Sequence, residues 1–574
     1  MANSISVLNH AADNIRILAA AAVEKAKSGH PGGAMGGADF INVLYSEFLV
    51  NAPDDAAWPC RDRFFLDPGH MSPMLYSQLA LTGRFSLEEL QQFRQWGSPT
   101  PGHPERNIER GIENTSGPLG QGHVYAVGAA IAAKALYART DNPGFLREKI
   151  YAYISDGGVQ EEISQGAGRL AGHLGLNNLI MFYDANAIQL STETAAVMSE
   201  DTGQKYRSWN WNVIEIDGND CTQIRSALSA ALEEHNRPTL IIGHCVMGKG
   251  ARKADDTSYE NSCATHGAPL GGDAYVNTIK NLGGDPANPF QVWPEVAEMY
   301  AARKKELQGI VKSLRAVERE WAESHPDKAA LLGEWMAGRL PQIPWDSIEQ
   351  KPNQATRAAS SACLSLLAKY VPNMIVSSAD LCNSDKTDGF IKGGATVITR
   401  DDFSGGFLQA GVSELTMACV CIGMMLHGGI VTAMGTFFVF SDYMKPAIRM
   451  AALMQVPVKF VWSHDAFRVG EDGPTHEPVE QEAQIRLMEK LRNHSGEDSV
   501  RVFRPCDVHA TTQCWRLAME NTSTPTALIL SRQNLNDMPA GTVYHTERGA
   551  YSVVECAQPD VILVGEMRDL ETVS

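Results

Sequence analysis

Short apolar runs alternate with amphipathic stretches along this chain, which predicts an α/β protein. Tyr151–Ile154 and Leu179–Tyr183 are apolar runs separated by a helical stretch. The same strand–helix–strand pattern recurs in residues 200–245, and Thr356–Tyr370 reads as a helix that leads into a strand at Asn373–Ser377. Buried strands joined by helices are typical of mostly parallel sheets flanked by helices.

One long apolar stretch has two interpretations. Leu415–Phe440 contains no charged residue, and a stretch of this length can span a membrane. His427-Gly428-Gly429 interrupts it, however, and Ile430–Phe440 is rich in β-branched and aromatic residues. The sequence therefore favours a buried helix followed by a buried parallel strand over a membrane span.

Length and composition indicate more than one domain. A chain of 574 residues exceeds what one hydrophobic core supports. A helical, charged and Trp-bearing segment precedes prolines 344 and 352, which are typical of a linker. We therefore predict an N-terminal domain at residues 1–322 with a helical extension, a linker at 323–354 and a second domain at 355–540.

The charge excludes some partners. The net charge is −18, which argues against binding to nucleic acid or to an anionic membrane, so any phosphate site must be locally basic. Eleven cysteines occur without C-x-x-C pairs, as in the reduced thiols of a cytoplasmic protein. The apolar block Ala19–Ala22 is too short for a secretory signal.

Candidate metal ligands follow two of the predicted strands. Asp156 ends the first apolar run of the central unit, and Asn186 follows the second. Since parallel strands end at the same sheet edge, the two oxygen ligands converge where open α/β sheets bind ligands. The neighbouring glycines and helix start suit a hard cation that holds a diphosphate. Ordinary turn chemistry is the alternative interpretation.

Three histidines precede this unit on loops bounded by glycine or proline. They are His30 in SGHPGG, His70 in DPGHMSP and His103 in TPGHPE, and the glycine-rich stretch GPLGQG follows them. A single loop histidine is usually a solvated residue, but three in such settings indicate a site, because functional residues concentrate on loops at strand ends.

These motifs resemble those of a known family. The Asp156…Asn186 unit resembles the diphosphate-binding motif of thiamine diphosphate enzymes, with Ser155 in place of the first glycine. The histidine loops, TSGPLGQG and ATHGAPLG resemble the N-terminal domain of transketolases. The resemblance implies thiamine diphosphate as cofactor and Mg²⁺ (or Ca²⁺) bound by Asp156, Asn186 and the backbone carbonyl of Ile188.

The resemblance also implies roles for other N-terminal residues. His30, His103 and His266 would bind the substrate and take part in catalysis, and His70 and His266 would contact the cofactor. Further cofactor contacts are implied for Gly117, Leu119, Gly157 and Glu161. Glu162 stands where the family has glycine.

In the second domain, Glu414 opens the buried helix. An acid at a helix start often serves only the helix dipole, but the match to the family's Ile-Arg-Glu-His motif implies that Glu414 binds N1′ of the aminopyrimidine and promotes formation of the ylid. Ser413 and Leu415 replace the arginine and histidine of that motif. Aromatic residues at a strand end are usually core, yet the match to GTFxxFxxY implies a cofactor pocket formed by Phe437, Phe440 and Tyr443.

The most specific motif is GEDGPTHEPVE at residues 470–480, which is similar to the transketolase motif GEDGPTHQP(I/V)E. The resemblance implies that Asp472 and His476 bind the sugar, with His476 also catalytic, and that Asp380 binds the cofactor. It assigns the substrate phosphate to Arg357, Ser384, His464 and Arg532. Cys382-Asn383 replaces a Thr-Pro pair before Ser384.

The resemblance therefore implies a transketolase of the pentose phosphate pathway that transfers a two-carbon unit between sugar phosphates. The two domains are expected to be the diphosphate-binding and pyrimidine-binding domains, with residues 541–574 as the beginning of a third α/β domain. A homodimer with active sites at the subunit interface is implied. The alternatives are a related ketol transferase, such as dihydroxyacetone synthase or a transketolase for modified sugars, and a catalytically silent binding protein.

Overall fold

A computed structural model describes residues 3–466, 469–553, 556–562 and 564. The chain forms two compact units, which comprise Met1–Ala130 with Asn142–His325 and Ile131–Asp141 with Pro326–Ser574. Each unit contains a parallel sheet with helices. The predicted α/β class is therefore confirmed.

The sheet of the first unit runs in the order β1-β2-β3-β5-β4, and its neighbouring strands pair in parallel. β1, β2 and β3 are buried along their whole length. The strands are β1 (Arg63–Leu66), β2 (Ile150–Ser155), β3 (Leu179–Asp184), β4 (Asn212–Asp217) and β5 (Thr239–His244).

The helices of the first unit begin and end where local chemistry requires it. Ser4 caps the first helix by accepting from the Val7 N–H, and left-handed Lys27 ends it ahead of the His30 loop. The helices are α1 (Ile5–Ala26), α2 (Pro31–Gly36), α3 (Ala38–Val43), α4 (Ser72–Leu81), α5 (Leu87–Leu90), α6 (Gln121–Thr140), α7 (Pro143–Arg147), α8 (Asp156–Gln160), α9 (Glu162–Leu174), α10 (Thr202–Ser208), α11 (Cys221–Leu232), α12 (Cys263–His266), α13 (Gly272–Asn281) and α14 (Pro294–Ser324). Residues of α6 beyond Ala130 belong to the second unit.

The sheet of the second unit runs in the order β10-β11-β9-β8-β6-β7, again with parallel pairing. The carboxyl ends of β6, β8, β9 and β11 lead directly into the candidate residues of this unit. The strands are β6 (Met374–Ser378), β7 (Phe407–Gln409), β8 (Val431–Phe437), β9 (Lys459–Ser463), β10 (Arg501–Phe503) and β11 (Thr526–Ile529).

The uncharged stretch at Leu415–Phe440 forms a buried helix and a strand, as predicted. Gly428, at φ +94°, ends the helix before β8. Among the described helices, none is long and apolar enough to cross a membrane. The helices of this unit are α15 (Pro326–Met336), α16 (Thr356–Tyr370), α17 (Cys382–Asp385), α18 (Gly389–Lys392), α19 (Glu414–His427), α20 (Ser441–Leu453), α21 (Gln481–Lys490) and α22 (Val508–Glu520).

Two segments differ from a simple reading of the sequence. The predicted linker at residues 323–354 contains α15, whose Leu332 and Trp335 are buried, and its bounds stay a prediction. In residues 541–574 the described part contains a 3-10 turn at Thr546–Arg548 and no strand. The predicted domain start there stays a prediction, and residues 554–555, 563 and 565–574 of it lie outside the described residues.

Candidate active site

Asp156 and Asn186 lie at the same edge of the first sheet. β2 and β3 pair in a register that sets Ser155 opposite Asp184, so the chain leaves the two strands at neighbouring points. Asp156 begins α8 directly after β2, and Asn186 follows β3. Both side chains are buried, with the residues only 4% and 8% exposed. Asp156 and Asn186 thus lie at neighbouring strand ends, and their role as metal ligands stays a prediction.

Neighbouring groups fix the orientation of both ligands. Asp156 accepts a hydrogen bond from the Tyr183 hydroxyl at 2.6 Å and one from the Ala187 N–H at 3.0 Å. Asn186 donates through Nδ2 to Asp184 at 3.0 Å, and its oxygen accepts from the Ile188 N–H at 3.0 Å. Burial raises the pKa of Asp156 to about 7, although the bond from Tyr183 opposes the shift. An adjacent cation would reverse this effect, because it stabilises the ionised carboxylate.

These residues fit a divalent cation. The carboxylate of Asp156, the amide oxygen of Asn186 and Ile188 line one cavity, and an oxygen donor set with a single carboxylate suits Mg²⁺ or Ca²⁺. In the described part of the chain, no group of three or more His, Cys, Asp or Glu side chains could hold a metal. A cation at this edge therefore depends on further oxygen ligands, such as those of a bound phosphate.

The cavity at this edge has a volume of about 460 Å³, within the range of small-molecule sites. It brings together most residues that the sequence motifs indicate in the first unit. The lining residues from those motifs are His30, His70, His103, Gly117, Leu119, Ser155, Asp156, Gly157, Asn186, Ile188 and His266. Residues that the sequence reasoning did not indicate also line it, namely Gly33, Met71, Gln189, Leu190, Ser191, Thr192 and Met247.

The histidines of the cavity form a cluster of neutral rings. The ring centre of His30 lies 5.1 Å from that of His70 and 5.8 Å from that of His266. Burial lowers the pKa of His30 to about 4 and also lowers the pKa values of His70, His103 and His266. The Nδ1 atoms of His30 and His266 are buried without a hydrogen-bond partner among the described residues. Unused nitrogen atoms of this kind suit a polar ligand.

Close packing at the glycines shapes the rest of the cavity. A Cβ atom on Gly157 would lie 2.9 Å from Leu119, whereas one on Gly117 would meet only His103, at 4.0 Å. Glu161 lies between α8 and α9, is exposed and does not line the cavity. Its pKa is raised by partial burial and by the adjacent Glu162.

Asp67 holds the chain at Gly120 and His123 through buried hydrogen bonds, and the sequence motifs did not indicate it. It is fully buried at the end of β1. Its carboxylate accepts from the Gly120 N–H at 3.0 Å, from the His123 N–H at 3.1 Å and bonds the His123 ring at 3.0 Å. Its backbone carbonyl accepts from the Ser116 hydroxyl at 2.6 Å. The sequence did contain a signal for Asp67: it is an acidic residue that follows an apolar run and directly precedes Pro-Gly-His.

In the second unit, Glu414 is the first residue of α19 and is buried. It accepts a hydrogen bond of 3.5 Å from the Thr436 hydroxyl. Burial raises its pKa, which favours the protonated form that can donate a hydrogen bond. Ser413 precedes it without a side-chain capping bond, and Leu415 is partly exposed.

An aromatic group lies at the carboxyl ends of β8 and β9. The ring of Phe437 stacks on that of His464, with 3.8 Å between ring centres, and lies 6.0 Å from Phe440. Phe440 contacts the rings of Tyr443 at 6.1 Å and His476 at 5.4 Å. Tyr443 is exposed. The residues of the GTFxxFxxY match thus form one surface together with both histidines.

Four predicted phosphate-binding residues are gathered beside this aromatic group. Arg357 donates to the Ser384 carbonyl at 2.7 Å and lies 3.5 Å from Nε2 of His464. Burial, reinforced by the charges of Arg357 and Arg532, lowers the pKa of His464 to about 3. Arg532 forms an ion pair with the exposed Glu471. The local excess of cationic groups in an acidic protein suits a phosphate.

The remaining candidates of the second unit lie on loops around these residues. Asp472 ends a 3-10 turn, and its charge acts on Arg357. Asp380 is exposed, with a left-handed backbone at φ +63°. The departure at Cys382-Asn383 begins α17, where the buried carboxylate of Asp385 accepts from the Ser378 hydroxyl at 2.7 Å.

Two family models match most of the chain. A model described as the thiamine diphosphate binding domain of transketolase matches residues 7–341, and one described as the pyrimidine binding domain matches residues 353–538. Among curated proteins, a transketolase of Geobacillus stearothermophilus is 41% identical over 566 residues, which cover 96% of this chain and 82% of the relative. Transketolase 1 of Vibrio cholerae is 39% identical over 578 residues, covering 98% of this chain and 84% of the relative.

Solved structures agree with the sequence relatives. Transketolase from Leishmania mexicana superposes with a TM-score of 0.91 at 34% identity and covers 97% of this chain and 81% of its own. A transketolase from Pichia stipitis in complex with sedoheptulose 7-phosphate has a TM-score of 0.89 at 34% identity, over 97% of this chain and 82% of its own.

Asp67→Ala tests the buried hydrogen bonds from Gly120 and His123 to the Asp67 carboxylate. We expect the free energy of unfolding to fall by about 3 kcal/mol, because two backbone N–H groups and a histidine ring lose a buried charged partner. Urea unfolding followed by circular dichroism measures the loss. Asp67→Asn is the matched control and should lose less, since one amide oxygen still accepts. An unchanged unfolding midpoint in Asp67→Ala contradicts the assignment.

Proposed function

The chain belongs to the transketolase family, and on this premise we propose that it transfers a two-carbon ketol unit from a ketose phosphate to an aldose phosphate. Xylulose 5-phosphate is the proposed donor, and ribose 5-phosphate and erythrose 4-phosphate are the proposed acceptors, as in the pentose phosphate pathway of the cytoplasm. The main support is the pair of cationic side chains Arg357 and Arg532, with His464, beside an aromatic surface, since this arrangement combines phosphate and ring recognition.

The first unit carries the family's thiamine diphosphate binding domain. When bound, this cofactor supplies a nucleophilic carbon and an electron sink for cleaving the bond between C2 and C3 of the ketose. We propose that Asp156, Asn186 and the carbonyl of Ile188 hold Mg²⁺ or Ca²⁺ against the diphosphate. Gly157 lets the backbone approach the phosphates, Leu119 and Gly117 contact the rings, and His70 with Glu161 completes the cofactor contacts.

Proton transfer is assigned to Glu414 and the histidines. The raised pKa of Glu414 favours a carboxyl that donates to N1′ of the aminopyrimidine, while Phe437, Phe440, Tyr443 and Asp380 bind the cofactor around it. His30, His103 and His266 are neutral near pH 7 because burial lowers their pKa values. Neutral imidazoles can both accept and donate protons as aldehyde and ketose forms interconvert.

Substrate binding is assigned to His30, His103 and His266 of the first unit and to six residues of the second. Arg357, Ser384, His464 and Arg532 hold the sugar phosphate. Asp472 and His476 contact the hydroxyl groups, and His476 takes part in proton transfer. Because the diphosphate residues and Glu414 belong to different units of the chain, and because the family pairs such halves from two subunits, we infer a homodimer with active sites at the subunit interface.

Two alternatives stay open. The sequence departs from the family pattern near Glu414 and Ser384, at Ser413, Leu415 and Cys382-Asn383. The first alternative is therefore a related ketol transferase, such as a dihydroxyacetone synthase or a transketolase for modified sugars. A catalytically silent binding protein is the second alternative. Retention of each acid–base candidate argues against it.

The decisive experiment follows sedoheptulose 7-phosphate production from xylulose 5-phosphate and ribose 5-phosphate. The complete mixture contains thiamine diphosphate and Mg²⁺, and each is omitted in turn. Product in the complete mixture alone supports the proposal. Formaldehyde as acceptor tests for a dihydroxyacetone synthase. A protein without turnover on any sugar phosphate supports the silent alternative.

Glu414→Gln tests the proton role. We expect turnover to fall by at least about 100-fold, because an amide cannot exchange the proton that the carboxyl holds. Thiamine diphosphate affinity and the unfolding temperature should stay near those of the parent. Glu520→Gln, on the exposed end of α22, is the matched control. Parental turnover in Glu414→Gln removes this residue from its proposed role.

Asp156→Ala tests the metal site. We expect metal-dependent binding of thiamine diphosphate to be lost, because the only charged protein ligand proposed for the cation is removed. Calorimetric titration with and without Mg²⁺ measures it, and a chelator should weaken the parent in the same way. Asp273→Ala, an exposed change in α13, serves as control. If neither the substitution nor the chelator changes the affinity for thiamine diphosphate, the proposed metal site is contradicted.

Arg357→Ala tests the phosphate assignment. We expect KM for xylulose 5-phosphate to rise by about 10- to 100-fold, from loss of a charged hydrogen bond to phosphate. The KM for the phosphate-free donor erythrulose should change little. A similar rise with both donors shows that Arg357 acts on something other than the phosphate.

A further inference from the structure

A second cavity in the first unit shares no lining residue with the histidine cavity. Its volume is about 60 Å³, which holds about four water-sized groups. Leu49, Phe64, Leu79 and Leu307 supply apolar walls. Because α4, α14 and the segment around Phe64 enclose it, it is built by the core of the unit and not by a surface loop alone.

Two buried polar side chains that line this cavity have unused hydrogen-bonding capacity. Tyr45 is 4% exposed and lines the cavity, and its hydroxyl forms no hydrogen bond with the described residues. Arg303 is 6% exposed; it donates to Glu306 at 2.7 Å and to the Leu49 carbonyl at 3.1 Å, while its buried Nε has no partner. Buried polar atoms are normally satisfied. Arg303 thus has one buried donor without a partner, and the Tyr45 hydroxyl is a second donor at the same cavity that is free to bind a ligand.

The cavity also carries an unbalanced positive charge on Arg84. Its guanidinium donates to the backbone carbonyls of Ala52 at 2.9 Å and Glu109 at 3.4 Å. No carboxylate of the described residues forms an ion pair with it, and Asp54 and Asp55 act on it only at longer range. Burial of this guanidinium makes an anionic partner favourable.

The acidic side chains around the cavity are already paired with other cations. The pairs are Glu113 with Arg61 at 2.8 Å, Asp62 with Arg147 at 3.1 Å, Asp54 with Lys304 at 3.8 Å, and Asp55 with Arg315. After this pairing Arg84 is left with one uncompensated charge. A monoanion balances it, whereas a phosphate dianion would bring an excess negative charge into a partly buried site.

We propose that this cavity, the Arg84 cavity, binds a small organic carboxylate of acetate or propionate size. The guanidinium of Arg84 holds the carboxylate. The Tyr45 hydroxyl and the Nε–H of Arg303 donate hydrogen bonds to it, and the apolar walls cover the short carbon chain. Since α4 follows directly on the turn that carries His70, the ligand fixes a helix that is continuous with the histidine cavity.

Thermal unfolding of the full chain, loaded with thiamine diphosphate and Mg²⁺, tests this site. Sodium acetate and sodium propionate are compared with sodium chloride at equal ionic strength. We expect the carboxylates to raise the unfolding temperature by about 2–4 °C, because a ligand that binds only the folded state stabilises it. Calorimetric titration with propionate should give one site per chain.

Tyr45→Phe is the sharpest variant, because it removes a hydroxyl that forms no hydrogen bond with the described residues. The unfolding temperature without ligand should stay near that of the parent, and propionate affinity should fall at least fivefold. Arg84→Met should abolish the response. Tyr370→Phe, an exposed change in the second unit, should retain it.

Three results overturn the proposal. They are an equal temperature rise in chloride, a propionate affinity unchanged in Tyr45→Phe, and a larger rise with inorganic phosphate than with the carboxylates, which would assign the cavity to a tetrahedral oxyanion. If Arg84→Met does not fold, the affinity of Tyr45→Phe decides alone.

Discussion

The parallel register of β2 and β3 is the constraint on which the candidate site of the first unit depends. With Ser155 opposite Asp184, the residues that follow both strands emerge side by side, and a slip by one residue would turn each side chain to the other face of the sheet. The register is also held by a side-chain bond, since the Tyr153 hydroxyl donates to Asp184 at 2.7 Å. Asp184 in turn orients Asn186, so strand pairing and ligand geometry are coupled.

Desolvation sets the protonation of both candidate sites. Asp156 and Glu414 are carboxyl groups whose pKa values burial raises, and His30 and His464 are imidazoles whose pKa values burial lowers. In each case low solvent access disfavours the charged form. Burial thereby favours the neutral form of both the acidic and the basic groups, although the net charge of the chain is −18. A charged ligand that enters such a site replaces the lost solvation and shifts these equilibria.

Spacing and periodicity were enough to predict the strand–helix–strand unit and the meeting of Asp156 with Asn186. Assembly of the histidine loops and the phosphate residues followed from family motifs, because no periodicity reports which distant loops meet. β1 was missed since it has only four residues and begins with Arg63. Asp67 was missed because an Asp before Pro-Gly reads as ordinary turn chemistry. The helical composition before prolines 344 and 352 agrees with α15, whereas composition could not fix where the linker begins.

The uncharged stretch in α19 and β8 affects how the unfolded protein behaves in solution. In the folded unit nearly all of it is buried, and it contains no charged residue from Leu415 to Phe440. When the unit unfolds, this segment exposes apolar surface. It carries no charge that would repel a second unfolded copy. We expect self-association of opened chains to compete with refolding on prolonged heating, so that the loss of activity then depends on the rate of opening.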